Sequence, residues 1–383
     1  MRAQPCFVAL PLAWQAAKQR GQLWQGVWDH HGTKAPNAQG TGVLLESDSG
    51  TTARIAFVGK QHRVVEDVGT IRIDPDAPNA SEPGMGYAGG IGWDSGTSDH
   101  TAFIYHPVNG EGAAWVWRLY LWDRGASKLT LVASNPVDSA GRPLRSGYVQ
   151  PKLTSRYLYW IQAAPDTTGW GGSQLMQYAL ATGRTKVLYR GLTESFVSYN
   201  DQLLYTAIAP NAPRPQPTDT SGPPERLIAI DQDTGTPRTL PAGLTIAADR
   251  PNYVISNGDL IVWTTDQVIR AWRPSWGKSV TLVPSGPSWP DGQRLQIAGP
   301  TYPALYGHFL VWDAGGVFVL DLSTGTFAQL AHGSRVAGEE TTDGMVSIQE
   351  YTNPAGNQVA ATYQWDQYLF SLQGLPDLPA CPH

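Results

Sequence analysis

Acidic residues recur just ahead of apolar runs along this chain: Asp94, Glu194, Asp249 and the adjacent pair Glu339 and Glu340. Carboxylates gathered from separate segments can hold a cation, or set a general acid opposite a nucleophile or base as glycoside hydrolysis requires. Asp94, Glu194, Asp249 and Glu339 are therefore the candidate catalytic residues, and Arg250, Lys152 and Arg145 are basic neighbours that could neutralise them. The plainer reading of the same pattern is a set of solvated or salt-bridged carboxylates. Trp170, in Thr168-Gly169-Trp170-Gly171-Gly172, and Trp289, in Ser288-Trp289-Pro290, fall in predicted loops. There an exposed ring can stack on a sugar or anchor a protein, or simply pack against the next loop. Trp170, Trp289, Arg250 and Lys152 are the candidate ligand contacts.

Stronger catalytic signatures are missing. The chain has no Gly-x-Ser-x-Gly elbow to expose a serine nucleophile, no Gly-x-x-x-x-Gly-Lys loop to cradle phosphates and no Ser-x-Asp-x-Gly-x-x-Trp box. His30 and His31 are adjacent and lack a partner at zinc-finger spacing, so no zinc site is expected. Asp231-x-Asp233 and Asp74-x-Asp76 have the oxygen spacing of calcium loops without the rest of that motif, and turn capping accounts for both. No cofactor is expected, a structural calcium ion being the weaker alternative.

The elements that would position these residues repeat. An apolar run ending in an aromatic recurs at Ile104-Tyr105, Tyr159-Trp160, Leu204-Tyr205, Val262-Trp263 and Val311-Trp312. A second apolar run follows each and commonly closes on a turn such as Asp231-Gln232-Asp233-Thr234-Gly235 or Asp321-Leu322-Ser323-Thr324-Gly325. One small sheet cannot bury both its faces, so recurrence at roughly 35 to 60 residues marks an array of similar sheets. Four strands per copy, named a to d, join through tight polar turns into antiparallel meanders. The expected fold class is all-β, a six- or seven-bladed β-propeller of four-stranded antiparallel meanders with a short irregular N-terminal arm. Residues 1–40 form the arm, 41–373 the propeller and 374–383 a C-terminal tail; 41–85 read as a divergent first blade and 86–373 as six clearer repeats. In the last copy strand c is expected near 359–363.

The chain of 383 residues is 41% hydrophobic, enough for a substantial core, and only 15% charged, with a net charge of -5. Its Lys and Arg are scattered rather than clustered, which argues against nucleic-acid or anionic-membrane partners. The 15 Trp and 16 Tyr suit pleated surfaces where rings stack between sheets. No run reaches the length of a membrane-spanning helix, and an export signal is not evident in the sequence. Cys6 and Cys381 stand near opposite ends. They read either as a disulfide closing the array, which would imply an extracytoplasmic location, or as two unrelated thiols.

With Phe309-Leu310-Val311-Trp312 joined to Val317-Phe318-Val319-Leu320-Asp321-Leu322-Ser323-Thr324-Gly325, the chain resembles bacterial TolB-like propeller repeats over about residues 86–373. The Ser-Pro-Asp-Gly turn that commonly precedes strand b in that family is missing. The Asp-x-Thr-Gly turn also resembles those of quinoprotein and sugar-recognition propellers. The resemblance implies a propeller that works as an interaction domain, an envelope component or the propeller portion of a larger enzyme.

Long connections are expected on one edge of the sheets, between b and c and between d and a. They include the proline-rich Pro210–Glu225 stretch, and variable loops on a rigid scaffold are the usual place for recognition. The functional expectation is an extracytoplasmic binding or scaffold propeller that recognises a protein or glycan through these loops, rather than an enzyme. A polysaccharide-active glycoside hydrolase or lyase using the four acids is the first alternative. The second is a self-associating structural subunit of a cell-surface assembly.

Overall fold

The computed structural model describes residues 6–27, 32–48, 52–72, 90–106, 116–139, 141, 144, 150–164, 172–191, 193–208, 225–249, 251, 253–265, 268–283, 303–314, 316–332, 335–336, 344–352 and 364–381. Its strands form seven sheets, which make the fold a seven-bladed β-propeller. The chain divides into two compact units, one of residues 27–192 and one of residues 1–26 with 193–383.

The unit of residues 27–192 holds the first three blades. Blade 1 comprises Gly32–Pro36, Val43–Asp48, Thr52–Val58 and Val64–Arg72, and blade 2 comprises Gly90–Gly96, His100–His106, Arg118–Asp123 and Lys128–Ser134. Blade 3 comprises Lys152–Leu153, Tyr157–Ala163, Ser173–Ala179 and Arg184–Arg190. Each blade is an antiparallel meander in chain order. Ile55 and Phe57 of blade 1 pack against Phe103, Tyr105 and Trp122 of blade 2. Ile104 and Leu119 of blade 2 in turn pack against Leu158 and Trp160 of blade 3.

The other unit holds blades 4 to 7. Blade 4 has three strands, Thr193–Tyr199, Gln202–Ile208 and Glu225–Asp231, and a single bridge from Ile230 to Pro237 stands where a fourth would run. Blade 5 comprises Tyr253–Ser256, Ile261–Thr264, Ile269–Trp272 and Val280–Val283, and blade 6 comprises Ala304–Tyr306, Phe309–Asp313, Gly316–Asp321 and Thr326–His332. Blade 7 takes Arg335–Val336, Met345–Thr352 and Gln364–Ser371 from the C-terminal part of the chain and Gln22–Val27 from the N-terminal part. Apolar layers separate blades 4 and 5, 5 and 6, and 6 and 7. Strands with apolar neighbours on both sides lose the polar-outward alternation, and Gly316–Asp321 is buried at every residue.

The repeated aromatics Tyr105, Tyr159, Trp160, Tyr205, Trp263 and Trp312 are all buried, and Tyr105, Trp160, Trp263 and Trp312 lie in these layers. Their recurrence reflects packing, with each such side chain contributing about 1.5–3 kcal/mol or more on leaving water.

The segment read as an irregular arm contains more structure than its local sequence suggests. Cys6–Phe7 adds a parallel fifth strand to blade 6, and helix Leu12–Arg20 leads into the strand that completes blade 7. The helix stops at Gly21, where a Cβ would lie 2.3 Å from the Leu369 carbonyl oxygen, a space that only glycine fits. Trp14, fully buried, meets Phe309 edge-on at 5.0 Å and donates its indole N–H to the Pro376 carbonyl at 2.9 Å. The C-terminal tail is thus packed rather than loose, and Leu378 is buried in the layer between blades 6 and 7. Cys6 and Cys381 form a disulfide.

The last copy differs from expectation in one strand. Strand c is Gln364–Ser371, which pairs with Met345–Thr352 along their whole lengths, whereas 359–363 lies outside the described residues.

Candidate functional site

In a meander the a–b and c–d connections share one edge of the sheet and the b–c and d–a connections share the other. The long connections 73–89, 135–151, 209–224, 284–303 and 353–363 belong to the b–c and d–a set, while 232–252 runs from strand c of blade 4 through the Pro237 bridge and helix Ile246–Asp249 to strand a of blade 5. The opposite edge carries compact turns held by their own side chains. Asn257 Oδ1 accepts the N–H groups of Asp259 and Leu260, and Asp123 Oδ1 accepts that of Ala126. This asymmetry holds within each unit.

The predicted acids are distributed as follows. Asp94 lies on strand a of blade 2 and Glu194 on strand a of blade 4, each at a register irregularity. The residue after each is a buried serine that ties its strand to the next blade. Ser95 Oγ accepts the Leu153 N–H at 2.9 Å, and Ser195 Oγ donates to the Pro251 carbonyl at 3.2 Å. The first of these contacts sets the strand bearing Lys152 beside the strand bearing Asp94. Asp249 ends a short helix, Ile246–Asp249, and both its oxygens are engaged. Arg270 Nη1 donates to Oδ1 at 2.5 Å, while the Trp263 indole N–H at 2.9 Å and the Thr245 hydroxyl at 3.2 Å donate to Oδ2. Glu339, Arg250, Arg145, Trp170 and Trp289 lie outside the described residues.

Two polar clusters in the unit of blades 4 to 7 were not anticipated. In blade 7, Glu350 and Asp366 stand directly opposite each other on neighbouring strands, an unfavourable pairing of like charges. Lys18, from helix Leu12–Arg20, answers it. Its ammonium lies 2.8 Å from Glu350 Oε1, donates to the Leu330 carbonyl at 2.8 Å and sits 4.6 Å from the centre of the Tyr368 ring. Burial, with the Glu350 charge adding to it, pushes Asp366 above the usual carboxylate range. Burial and the two carboxylates push the Tyr368 hydroxyl up as well, keeping it a proton donor to both. The contacts of Lys18 fasten the helix to blades 6 and 7. Sequence reasoning missed it because the 353–363 connection leaves the strand register open, and only that register sets Glu350 against Asp366.

The second cluster joins the tail to blade 6. His308 Nε2 lies 2.9 Å from Asp377 Oδ1 and 3.8 Å from Asp321 Oδ1. Asp321 is fully buried; its Oδ1 accepts the Ser323 N–H at 2.8 Å and hydroxyl at 2.6 Å, and its Oδ2 accepts the Leu378 N–H at 2.8 Å. The signal for Asp321 was present in the sequence as the repeated turn, but its long-range partners were not.

No protein-family model and no curated protein sequence matches the chain. Several solved structures are similar in fold. An oligogalacturonate lyase in complex with manganese shares 12% identity over 90% of each chain, with a TM-score of 0.46. TolB from Acinetobacter baumannii shares 12% identity over 83% of this chain and 65% of its own, with a TM-score of 0.39. The β-propeller domain of the Trilobed protease from Pyrococcus furiosus shares 10% identity over 76% of this chain and 83% of its own, with a TM-score of 0.42. Each of these TM-scores is below 0.5, and nothing about chemistry is carried across.

Proposed function

We propose that this protein is an extracytoplasmic binding or scaffold propeller whose long b–c and d–a connections recognise a protein or glycan. The observation that supports this most is the asymmetry of the connections: compact self-capped turns on one edge of the blades, and long sequence-diverse segments such as 209–224 and 284–303 on the other. Recognition favours such an arrangement because the sheets hold the loop ends rigidly while the loops vary. The disulfide between Cys6 and Cys381 fits an oxidising compartment, where such bonds form and persist. Asp249 lends no support to the polysaccharide-active alternative, because both its oxygens already serve the packing of blade 5.

Photo-crosslinking tests the reading. A crosslinker at Gln216, in the 209–224 connection, is expected to capture an envelope protein or glycan, and one at Asp233 or Ser323, in compact turns, is expected to capture none. Capture confined to the compact turns would reverse the assignment of the binding edge.

A further inference from the structure

Asp321 is a fully buried carboxylate that the charges of the described residues around it do not balance. Among the described residues the basic group facing it is His308, and His308 also faces Asp377. Two carboxylates therefore share one imidazole, and even a protonated ring would leave the group negative. A buried carboxylate is ordinarily hydrogen-bonded and either paired with a cation or bound to a metal ion, and the hydrogen bonds are already in place at Asp321. Blade 4 provides the comparison within the same chain: Asp231 begins an equivalent turn, and there Arg238 Nη2 supplies a permanent positive charge 2.5 Å from Oδ2. Among the described residues blade 6 has no arginine in that role, and it presents instead a nitrogen donor and two carboxylate oxygens within 4.8 Å of one another.

The three donors are held in place by their surroundings. Asp321 is oriented by the Ser323 amide and hydroxyl and by the Thr324 amide. The His308 carbonyl accepts the Leu322 N–H at 2.9 Å, and its ring rests 4.1 Å from that of Phe309. Contacts of this kind around the donors are what orient ligands in metal sites. An imidazole with two carboxylates is a donor set for borderline divalent ions such as zinc, which leave a further position to water, rather than for calcium, which takes oxygen only. We propose that His308, Asp321 and Asp377 bind a divalent transition-metal ion, zinc being the best fit. The ion clamps the C-terminal tail onto blade 6 and supplies the positive charge that Arg238 supplies in blade 4.

The test is calorimetric titration of the chelator-treated full chain with zinc chloride. One high-affinity site is expected, along with slower amide hydrogen exchange at Leu378. His308→Ala and Asp377→Asn alter exposed or half-exposed side chains, and each is expected to weaken zinc binding at least about tenfold while leaving the metal-free unfolding midpoint nearly unchanged. Asp231→Asn is expected to leave zinc binding as it was. Zinc binding that survives both His308→Ala and Asp377→Asn, an absence of zinc binding, or calcium binding as tight as zinc would each overturn the proposal.

Discussion

Asp231 and Asp321 end strand c of blades 4 and 6 and begin the same turn, Asp-Gln-Asp-Thr-Gly in one and Asp-Leu-Ser-Thr-Gly in the other. In both, Oδ1 accepts the N–H groups two and three residues on, and the glycine N–H returns to the aspartate carbonyl. In both, the next residue donates its N–H to the preceding a–b turn, Gln232 to the Asp201 carbonyl and Leu322 to the His308 carbonyl. The second oxygen separates them. Asp231 gives it to Arg238 close by in the chain, and Asp321 gives it to Leu378 in the tail. A local turn motif dictates half of what its carboxylate does. The remaining half is free to become either a neighbouring ion pair or a long-range fastening.

The largest effect should come from exchanging the two positions' fates. Asp321→Ala leaves buried amide donors unsatisfied and is expected to cost about 3 kcal/mol or more in denaturant unfolding, with the Leu378 amide losing its exchange protection. Asp231→Ala should cost less, because Arg238 is half exposed and can return to water. Equal losses would mean that the two turns do the same job.

Next in size is Cys381→Ser, which frees the end of the tail from Cys6. Its expected cost is about 2–4 kcal/mol, since the bond spans a sequence separation of 375 and restricts the unfolded chain. Leu378 should nonetheless stay protected from exchange in this variant if Asp321, rather than the covalent bond, seats the tail. Loss of protection in Cys381→Ser but not in Asp321→Ala would invert that order.

The smallest effects concern pH, where Asp231 and Asp366 act in opposite senses. Hydrogen bonds from Thr234 and Arg238 depress Asp231 far below its ordinary value. The stability it contributes is complete above the unfolded-state value and is lost as pH falls through the depressed one. Asp366 is raised, so the folded state holds its proton longer than the unfolded state, and stability falls as pH rises from the ordinary carboxylate value through the raised one. Asp366→Asn should therefore remove that fall and raise the neutral-pH unfolding midpoint, by less than about 1 kcal/mol after solvent screening. Asp231→Asn should instead flatten the acid side of the stability profile. A neutral-pH loss in Asp366→Asn would show that its charge is needed by Lys18.

Most of the strands could be located from the sequence because their signal is local. Phe309–Asp313 and Gly316–Asp321 announce themselves by apolar runs and by the Asp-x-Ser-Thr-Gly turn that stops them. Gln364–Ser371 did not, since aromatic residues continue on both sides of its start and its true limits depend on pairing with Met345–Thr352. Gln22–Val27 was hidden for a related reason: its partner strand lies at the other end of the chain. The same limit applies to the sites. Asp231 was legible as a turn cap, whereas the clusters around Lys18 and His308 exist only once distant segments meet. Five of the predicted positions, Glu339, Arg250, Arg145, Trp170 and Trp289, lie outside the described residues.

Because Gln22–Val27 belongs to a sheet whose other strands begin at Arg335, this strand must wait during synthesis for segments made long after it before its backbone amides find their partners. During that interval the strands of six blades, from Gly32–Pro36 to Thr326–His332, are synthesised in order. The orphaned strand is then the segment most in need of shielding. Ribosome-stalled chains truncated before residue 364 should be cleaved by protease within the first 30 residues, and full-length chains should resist at that place.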